Sequence, residues 1–179
     1  MPDVKPLFTT PRLHARRWHA GDLATLMEVY GDAEAMRYVG DGQPLTRAGC
    51  EEWIAVTLAN YEKRGYGMFA LAAADSGAVI GFAGLVHPGG QAEPEVKYAL
   101  RRAHRGAGLA TEAVSALLRY ARDELGLSGI IATTHPENTA SHRVLAKAGM
   151  VRAELLVDDD WSMTQFFRWP ERSQASDSL

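Results

Sequence analysis

A glycine turn between a strand and an amphipathic helix constrains the fold of this chain most strongly. The turn occupies residues 101–112 and reads Arg-Arg-Ala-His-Arg-Gly-Ala-Gly-Leu-Ala-Thr-Glu, directly after a predicted strand over residues 96–100. The apolar residues that follow recur at the i, i+3, i+4 and i+7 spacing of a helix with one buried face: Ala110, Ala113, Val114, Leu117, Leu118, Ala121 and Leu125. Two glycines one residue apart permit a tight turn. Aligned backbone N–H groups at a helix start can bind an anion.

This turn does not match the two best-known phosphate loops. No Lys-Ser or Lys-Thr follows a glycine, as a P-loop requires, and Thr111 stands where the dinucleotide fingerprint needs its third glycine. On this stretch alone, two interpretations stay open. It is either a phosphate-binding loop with nearby arginines, or an ordinary strand-to-helix turn with solvated cations.

Composition narrows the class of protein. The 179 residues are near the usual size of one domain, and 46% apolar with 23% charged residues is typical of a globular protein. The net charge of −3 gives no global reason to expect nucleic-acid binding. The single cysteine, Cys50, cannot form an internal disulfide, which favours a reducing, cytoplasmic setting. The sequence has no apolar run long enough to span a bilayer, so we expect no membrane partner.

The pattern along the chain predicts a mixed α/β fold. Asp22 is the expected N-cap of a first helix and Thr46 that of a longer one. Helices are predicted over residues 22–30, 33–38, from 46 onward, from 110 to near 126, and over 138–147, and strands over 13–16, 66–74, 78–86, 95–100, 130–134, 151–157 and 161–169. Hairpins come first, and one strand–helix–strand crossover predicts a parallel pair. The polar tail, residues 173–179, is expected to be disordered.

Several separate stretches resemble one family, the GNAT acyltransferases, and within it the ribosomal-protein N-terminal (alanine/serine) acetyltransferase branch. The matching motifs are Thr10-Pro-Arg-Leu, Ile80-Gly-Phe-Ala-Gly-Leu, Glu95-Val-Lys-Tyr, Arg105-Gly-Ala-Gly-Leu-Ala-Thr-Glu-Ala, Asn138-Thr-Ala-Ser and Lys147-Ala-Gly-Met. One departure is Lys97, where the branch usually has glycine. The resemblance spans residues 10–169.

The resemblance implies a single GNAT domain over residues 8–170, with flexible termini at 1–7 and 171–179. Its fold is α/β (α+β), a mixed and mostly antiparallel sheet with a central splayed parallel strand pair and flanking helices. Acetyl-CoA is then the cosubstrate and lies between the splayed strands, where its pantetheine arm pairs with unsatisfied backbone groups. Implied cofactor-binding residues are Tyr98, Ala99 and Leu100 at the strand edge, Arg105, Gly106, Ala107, Gly108, Leu109, Ala110 and Thr111 around the diphosphate, and Asn138. Arg101, Arg102 or Arg105 is expected to meet the remaining phosphate charge.

Two residues are the catalytic candidates. Glu95 begins the strand that leads into the cofactor site, so its carboxylate is a candidate base, the alternative being an ordinary strand-end carboxylate. Many GNAT enzymes place a tyrosine in the last helix to protonate the thiolate, and here that position is Leu145. Ser141 is then the best remaining donor, although its hydroxyl can instead bond the preceding helical turn. Asn138 is expected to cap the same helix, and Glu112 to stabilise the dipole of the helix after the glycine turn.

The predicted activity is acetyl transfer to a primary amine by direct attack in a ternary complex. The acceptor is a protein N-terminal α-amino group or a small-molecule amine, and the chain is a monomer or homodimer. No metal is expected, because the six histidines have no metal-ligand spacing, and His104 and His142 are expected at the surface. Two alternatives come from other classes: a non-catalytic acyl-CoA-binding or sensing domain, and a nucleotide-binding domain.

Overall fold

An eight-stranded sheet forms the centre of the protein in a computed structural model, which describes residues 5–39 and 41–170. The strand order is β1-β2-β3-β4-β5-β6-β8-β7. The strands are β1 (Phe8–Thr9), β2 (Leu13–Arg17), β3 (Met68–Ala73), β4 (Val79–Val86), β5 (Glu95–Leu100), β6 (Ile131–Thr134), β7 (Val151–Val157) and β8 (Met163–Arg168). All neighbours are antiparallel except β5 and β6, which are parallel. The mixed, mostly antiparallel sheet predicted from the sequence is therefore confirmed.

Helices cover both faces of the sheet. They are α1 (Leu23–Tyr30), α2 (Ala33–Met36), α3 (Arg47–Arg64), α4 (Leu109–Asp123) and α5 (Thr139–Lys147). One core cluster packs the buried side of α4, including Val114 and Leu117, against the sheet. A second cluster packs α1, α2 and α3 on the opposite face, around Leu26 and Phe82. Each face of the sheet thus buries its own apolar layer, as strand alternation requires.

The chain differs from the sequence predictions in a few places. Strand β1 was not predicted, because two residues are too few to show a period. Asp22 precedes α1 but does not cap it with its side chain, which instead accepts hydrogen bonds from Arg16 at 2.8 and 2.9 Å and from the His19 N–H at 3.0 Å. Trp161 lies in a turn with φ 65°, and β8 begins only at Met163.

The chain termini fall partly outside the described residues. Residues 1–4, Gly40 and residues 171–179 lie outside the described residues. The predicted disorder of residues 173–179 therefore concerns a segment that the structure does not describe. Leu7, which the sequence places in a flexible N-terminal segment, donates its N–H to the Ala15 carbonyl at 2.8 Å and packs against the core. Backbone contacts with the sheet therefore begin before the first strand.

The parallel strands β5 and β6 meet at one end and then separate. Glu95 is in register with Ile131, and the Ile131 N–H donates to the Pro94 carbonyl at 3.0 Å. Beyond this point the described parts of β5 and β6 share no further ladder pair. The sheet continues on the far side because β6 pairs with β8 over four residues. A gap therefore opens in the middle of the sheet.

Candidate active site

A cavity of about 610 Å³ lies where β5 and β6 separate. Its walls come from β5, the glycine turn, the first turn of α4, β6 and α5, and from α2 on the opposite face of the sheet. The cavity thus lies at the gap between the two strands, with walls from elements on both faces of the sheet.

The edge of β5 presents backbone groups to this gap. The Arg101 N–H donates to the Ile80 carbonyl at 2.8 Å, so odd-numbered residues of β5 direct their backbone groups toward β4. Tyr98 accordingly directs its N–H and C=O toward the gap. The Leu100 carbonyl faces the same way but accepts a bond from Arg105 Nε at 3.1 Å, and Ala99 is paired with β4. Of the three predicted edge residues, Tyr98 offers both backbone groups to a ligand.

The glycine turn ends at the start of α4 with a geometry that suits an anion. Gly106 and Gly108 have φ of 79° and 78°, a left-handed conformation that glycine adopts without strain. Gly108 is the N-cap of α4 and has no side chain to cap the first-turn N–H groups, which are left for a ligand. All the residues predicted to surround the diphosphate line the cavity except Ala107. This turn therefore fits a diphosphate group.

Several basic side chains line the cavity. Arg105 lines it, whereas Arg101 pairs with Glu28 at 3.2 Å and does not. Three basic residues that the sequence analysis did not select also line the cavity: Arg143, Lys147 and His104. The i, i+4 spacing of Arg143 and Lys147 on the helix capped by Asn138 is the signal that could have identified them.

The predicted donor Ser141 lies at the cavity wall in a hydrogen-bonded cluster. Asn138 caps α5, since its Oδ1 accepts from the Ser141 N–H at 3.2 Å, and both residues line the cavity. The Tyr98 hydroxyl donates to Ser141 Oγ at 3.0 Å. Burial raises the pKa of Tyr98 to about 12, partly opposed by that hydrogen bond, so Tyr98 stays protonated and donates. The Ser141 hydroxyl hydrogen is then available to a group in the cavity.

The Tyr98 side chain is a functional group that sequence reasoning missed. The sequence indicates a role for the backbone of Tyr98 only. Its hydroxyl lies across the gap from α5, and residue spacing alone does not predict that it bonds Ser141. Leu145, at the position where the family resemblance implies a tyrosine, is fully buried and lines the cavity.

Glu95 is buried beneath the cavity surface, with 3% of the residue exposed. Its carboxylate accepts hydrogen bonds from Lys97 Nζ and Thr133 Oγ1, and from Gln91 Nε2 at 3.2 Å. Lys97 and Thr133 line the cavity, and Glu95 does not. A group bound in the cavity therefore contacts Lys97 and Thr133 rather than the Glu95 carboxylate itself.

Tyr38 lines the cavity next to α2 and belongs to an aromatic pair. The ring of Tyr38 stacks on His135 at a centroid separation of 5.9 Å, and the Arg37 guanidinium lies 5.3 Å from the Tyr38 centroid. Because Tyr38 follows α2 and His135 follows β6, the pair bridges the two sides of the gap. Charged side chains lining this face are Glu34, Arg37 and Lys97.

The described residues hold neither a metal cluster nor a membrane-spanning helix. Within residues 5–39 and 41–170, no group of three His, Cys, Asp or Glu side chains is placed to hold a metal ion. None of the helices in that part of the chain is long and apolar enough to cross a membrane. His142 bonds Thr134 through Nε2 at 2.9 Å, and its pKa is lowered by burial and by nearby Arg152.

Comparison with known proteins agrees with this geometry. The Acetyltransferase (GNAT) domain family matches residues 12–151. The uncharacterized N-acetyltransferase YnaD of Bacillus subtilis is 28% identical over 144 residues, which is 80% of this chain and 82% of that protein.

Two solved structures share the fold at low sequence identity. RimL, a ribosomal L7/L12 alpha-N-protein acetyltransferase in complex with coenzyme A, superposes with a TM-score of 0.77 at 11% identity, over 92% of this chain and 97% of that one. AAC(6')-Ib in complex with ribostamycin and coenzyme A gives a TM-score of 0.73 at 18% identity, over 93% and 99% of the two chains.

Proposed function

The chain belongs to the GNAT acetyltransferase family and is an N-acetyltransferase, and on that premise we propose that it transfers the acetyl group of acetyl-CoA to a primary amine by direct attack in a ternary complex. The observation that supports this mechanism is the cavity between β5 and β6, which connects an anion site at the start of α4 to the hydroxyl of Ser141. We assign the catalytic machinery to residues 8–170 as one domain. The lone, buried Cys50 is consistent with our assignment to the reducing cytoplasm.

The proposed cofactor position follows from the two ends of the cavity. The diphosphate binds the backbone N–H groups of the glycine turn and first turn of α4, with Arg105 beside it. The pantetheine amides then pair with Tyr98 across the gap, and Asn138 borders the same path. This arrangement brings the thioester toward Ser141 and Lys97.

The chemistry requires a neutral amine, which attacks the thioester carbon while the carbon–sulfur bond breaks. An α-amino group has a pKa of about 7.7–8.0, so much of it is neutral near pH 8. Binding both substrates side by side supplies most of the acceleration. The Ser141 hydroxyl, which Tyr98 holds in position, donates a hydrogen bond to the sulfur and stabilises the leaving thiolate, which then takes its proton from water.

We propose that Glu95 accepts the amine proton through Thr133. The Thr133 hydroxyl lines the cavity and donates to the carboxylate, so it can take a proton from the amine, directly or through water, as it passes its own to Glu95. Lys97 balances the charge of the buried carboxylate.

We propose a small-molecule amine as the acceptor. Tyr38 lines the cavity on the α2 face and is held there by its stack on His135, and that favours a compact substrate over a peptide chain. Lys97 is paired with Glu95, whereas Arg37 lines this face and forms no ion pair within the described part of the chain, so the acceptor is expected to carry an anionic group besides its amine. A protein N-terminus is the second candidate, supported by the motifs shared with the ribosomal-protein branch.

An acceptor screen tests this function. Thiol release from acetyl-CoA is measured with amino acids and with the matching amino acid amides, which keep the amine and lose the carboxylate. We expect the free acids to be favoured at least tenfold in kcat/KM, and Arg37→Met to remove that preference. Thiol release with no amine or peptide in the panel, despite tight CoA binding, would instead indicate a non-catalytic acyl-CoA-binding domain.

A further inference from the structure

Residues 10–12 form hydrogen bonds with Glu112 in the first turn of α4. Arg12 Nε and Nη2 each lie 2.7 Å from Glu112 Oε2, and the Arg12 N–H donates to Oε1 at 3.0 Å. The Thr10 hydroxyl donates to the same carboxylate. Burial alone would raise the pKa of Glu112, but the hydrogen bonds from Thr10 and Arg12 lower it, so the carboxylate is ionised at neutral pH. Glu112 therefore does more than complement the helix dipole.

The same arginine also holds the glycine turn. Arg12 Nη1 donates to the Ala107 carbonyl at 2.8 Å, and Ala107 alone among residues 105–111 does not line the cavity. In a trans peptide the C=O of one residue and the N–H of the next point in opposite directions. Fixing the Ala107 carbonyl on Arg12 therefore directs the Gly108 N–H away from Arg12, and Gly108 lines the cavity.

We propose that Arg12 and Glu112 are positioning residues that orient the glycine turn for the diphosphate of coenzyme A. The Arg12 charge is matched by Glu112, so Arg12 acts through the orientation of the turn rather than as a phosphate ligand. Without it, Gly106 and Gly108 leave the turn free to adopt other conformations, and binding must first order them. This inference rests on the proposed function, because it assumes that the diphosphate binds at this turn.

The test compares coenzyme A with two shorter ligands: dephospho-coenzyme A, which keeps the diphosphate and lacks the 3′-phosphate, and pantetheine, which lacks the diphosphate and the adenosine 3′-phosphate. Affinities for the three ligands are measured by calorimetry for the wild type and for Arg12→Gln, Arg12→Lys and Glu112→Gln, and we expect coenzyme A and dephospho-coenzyme A to lose the same factor. We expect each variant to lose about tenfold in coenzyme A affinity and to bind pantetheine as the wild type does. At saturating acetyl-CoA, kcat stays within twofold while KM for acetyl-CoA rises. Arg47→Gln, which breaks the exposed pair of Arg47 with Glu51 on α3, is the matched control and leaves both affinities unchanged.

Further outcomes separate the possible failures. If Arg12→Gln does not fold, as judged by its circular dichroism spectrum, the milder Arg12→Lys carries the test. Equal coenzyme A affinity in a folded Arg12 variant and the wild type overturns the inference while leaving the enzyme assignment intact. An equal loss for pantetheine and coenzyme A also overturns it, because the effect is then a general loss of structure. A wild type that does not bind coenzyme A contradicts the proposed function itself.

Discussion

The hydroxyl of Tyr98 on β5 donates a 3.0 Å hydrogen bond to the hydroxyl of Ser141 on α5, across the gap between β5 and β6. An accepting Ser141 oxygen leaves its own hydrogen free for the thiolate. The pair therefore provides a hydrogen-bond donor near the site where the family resemblance implies a tyrosine on the helix and this chain carries Leu145.

Tyr98→Phe is expected to lower kcat about tenfold with little change in KM for acetyl-CoA, because it removes the group that orients Ser141. Ser141→Ala is expected to lose a similar factor, and the double variant no more than either single one, since both act through the same hydrogen bond to the sulfur. Steady-state kinetics of the wild type, the two single variants and the double variant measures this coupling between Tyr98 and Ser141. Tyr120→Phe, at a ring that packs on Phe8 away from the cavity, is the control. Multiplicative losses in the double variant would show that Tyr98 does not act through Ser141.

The pH dependence of kcat/KM is expected to follow the acceptor amine rather than Tyr98. With the pKa of Tyr98 raised to about 12, its hydroxyl stays protonated between pH 6 and pH 10. For an acceptor with an α-amino pKa of about 7.7–8.0, the rate should rise with pH and level off above about pH 8. A decline between pH 8 and pH 10 that disappears in Tyr98→Phe would contradict this assignment.

Glu95→Gln is expected to lower kcat about a hundredfold while coenzyme A affinity stays within threefold, because the amide keeps the shape of the carboxylate and cannot take a proton. Thr133→Val should lose a comparable factor, since it interrupts the proposed path to Glu95. Thr134→Val, at the neighbouring hydroxyl that bonds His142, is the control. Normal turnover in both Glu95→Gln and Thr133→Val would remove them from the reaction.

Gly106→Ala is expected to weaken coenzyme A binding about tenfold, since a side chain at φ 79° is strained and the turn must distort. Gly126→Ala is a matched control, because Gly126 has φ 65° and, like Gly106, open space where the added methyl group would lie, but it is past the far end of α4. Both substitutions should lower the melting temperature by a few degrees. Calorimetric titration with coenzyme A should distinguish the two variants. Equal affinities of Gly106→Ala and Gly126→Ala for coenzyme A would argue against a diphosphate at Gly106.

The Glu112 contacts predict a stability effect in acid. A carboxyl whose pKa is lowered on folding stabilises the protein above its unfolded value of 4.5, and this contribution is lost as pH falls through the lower folded value. The difference in melting temperature between wild type and Glu112→Gln should therefore stay constant from pH 8 to about pH 5.5 and shrink below pH 4.5. A difference that changes between pH 6 and pH 8 would point to another group.

Local patterns predicted the elements that form the site, but not its side-chain contacts. The period of α4 and the glycine pair located the turn, and the Asn138 cap of α5 is confirmed. Contacts between distant segments have no local signature: nothing near Glu112 indicates that Arg12, 100 residues earlier, binds its carboxylate. The burial of Glu95 was missed for the same reason, because Thr133 covers it from another strand.

The parting of β5 and β6 after the Glu95 and Ile131 register divides the sheet into two halves, β1 to β5 and β6 to β8. A substrate that bridges them serves as a temporary strand and completes the architecture. The protein should consequently be most rigid while it holds coenzyme A. We therefore expect the amide hydrogens of β6 to exchange faster in the ligand-free protein than in the complex with coenzyme A. We therefore expect release of coenzyme A to require this gap to reopen, and the rate of reopening to limit turnover.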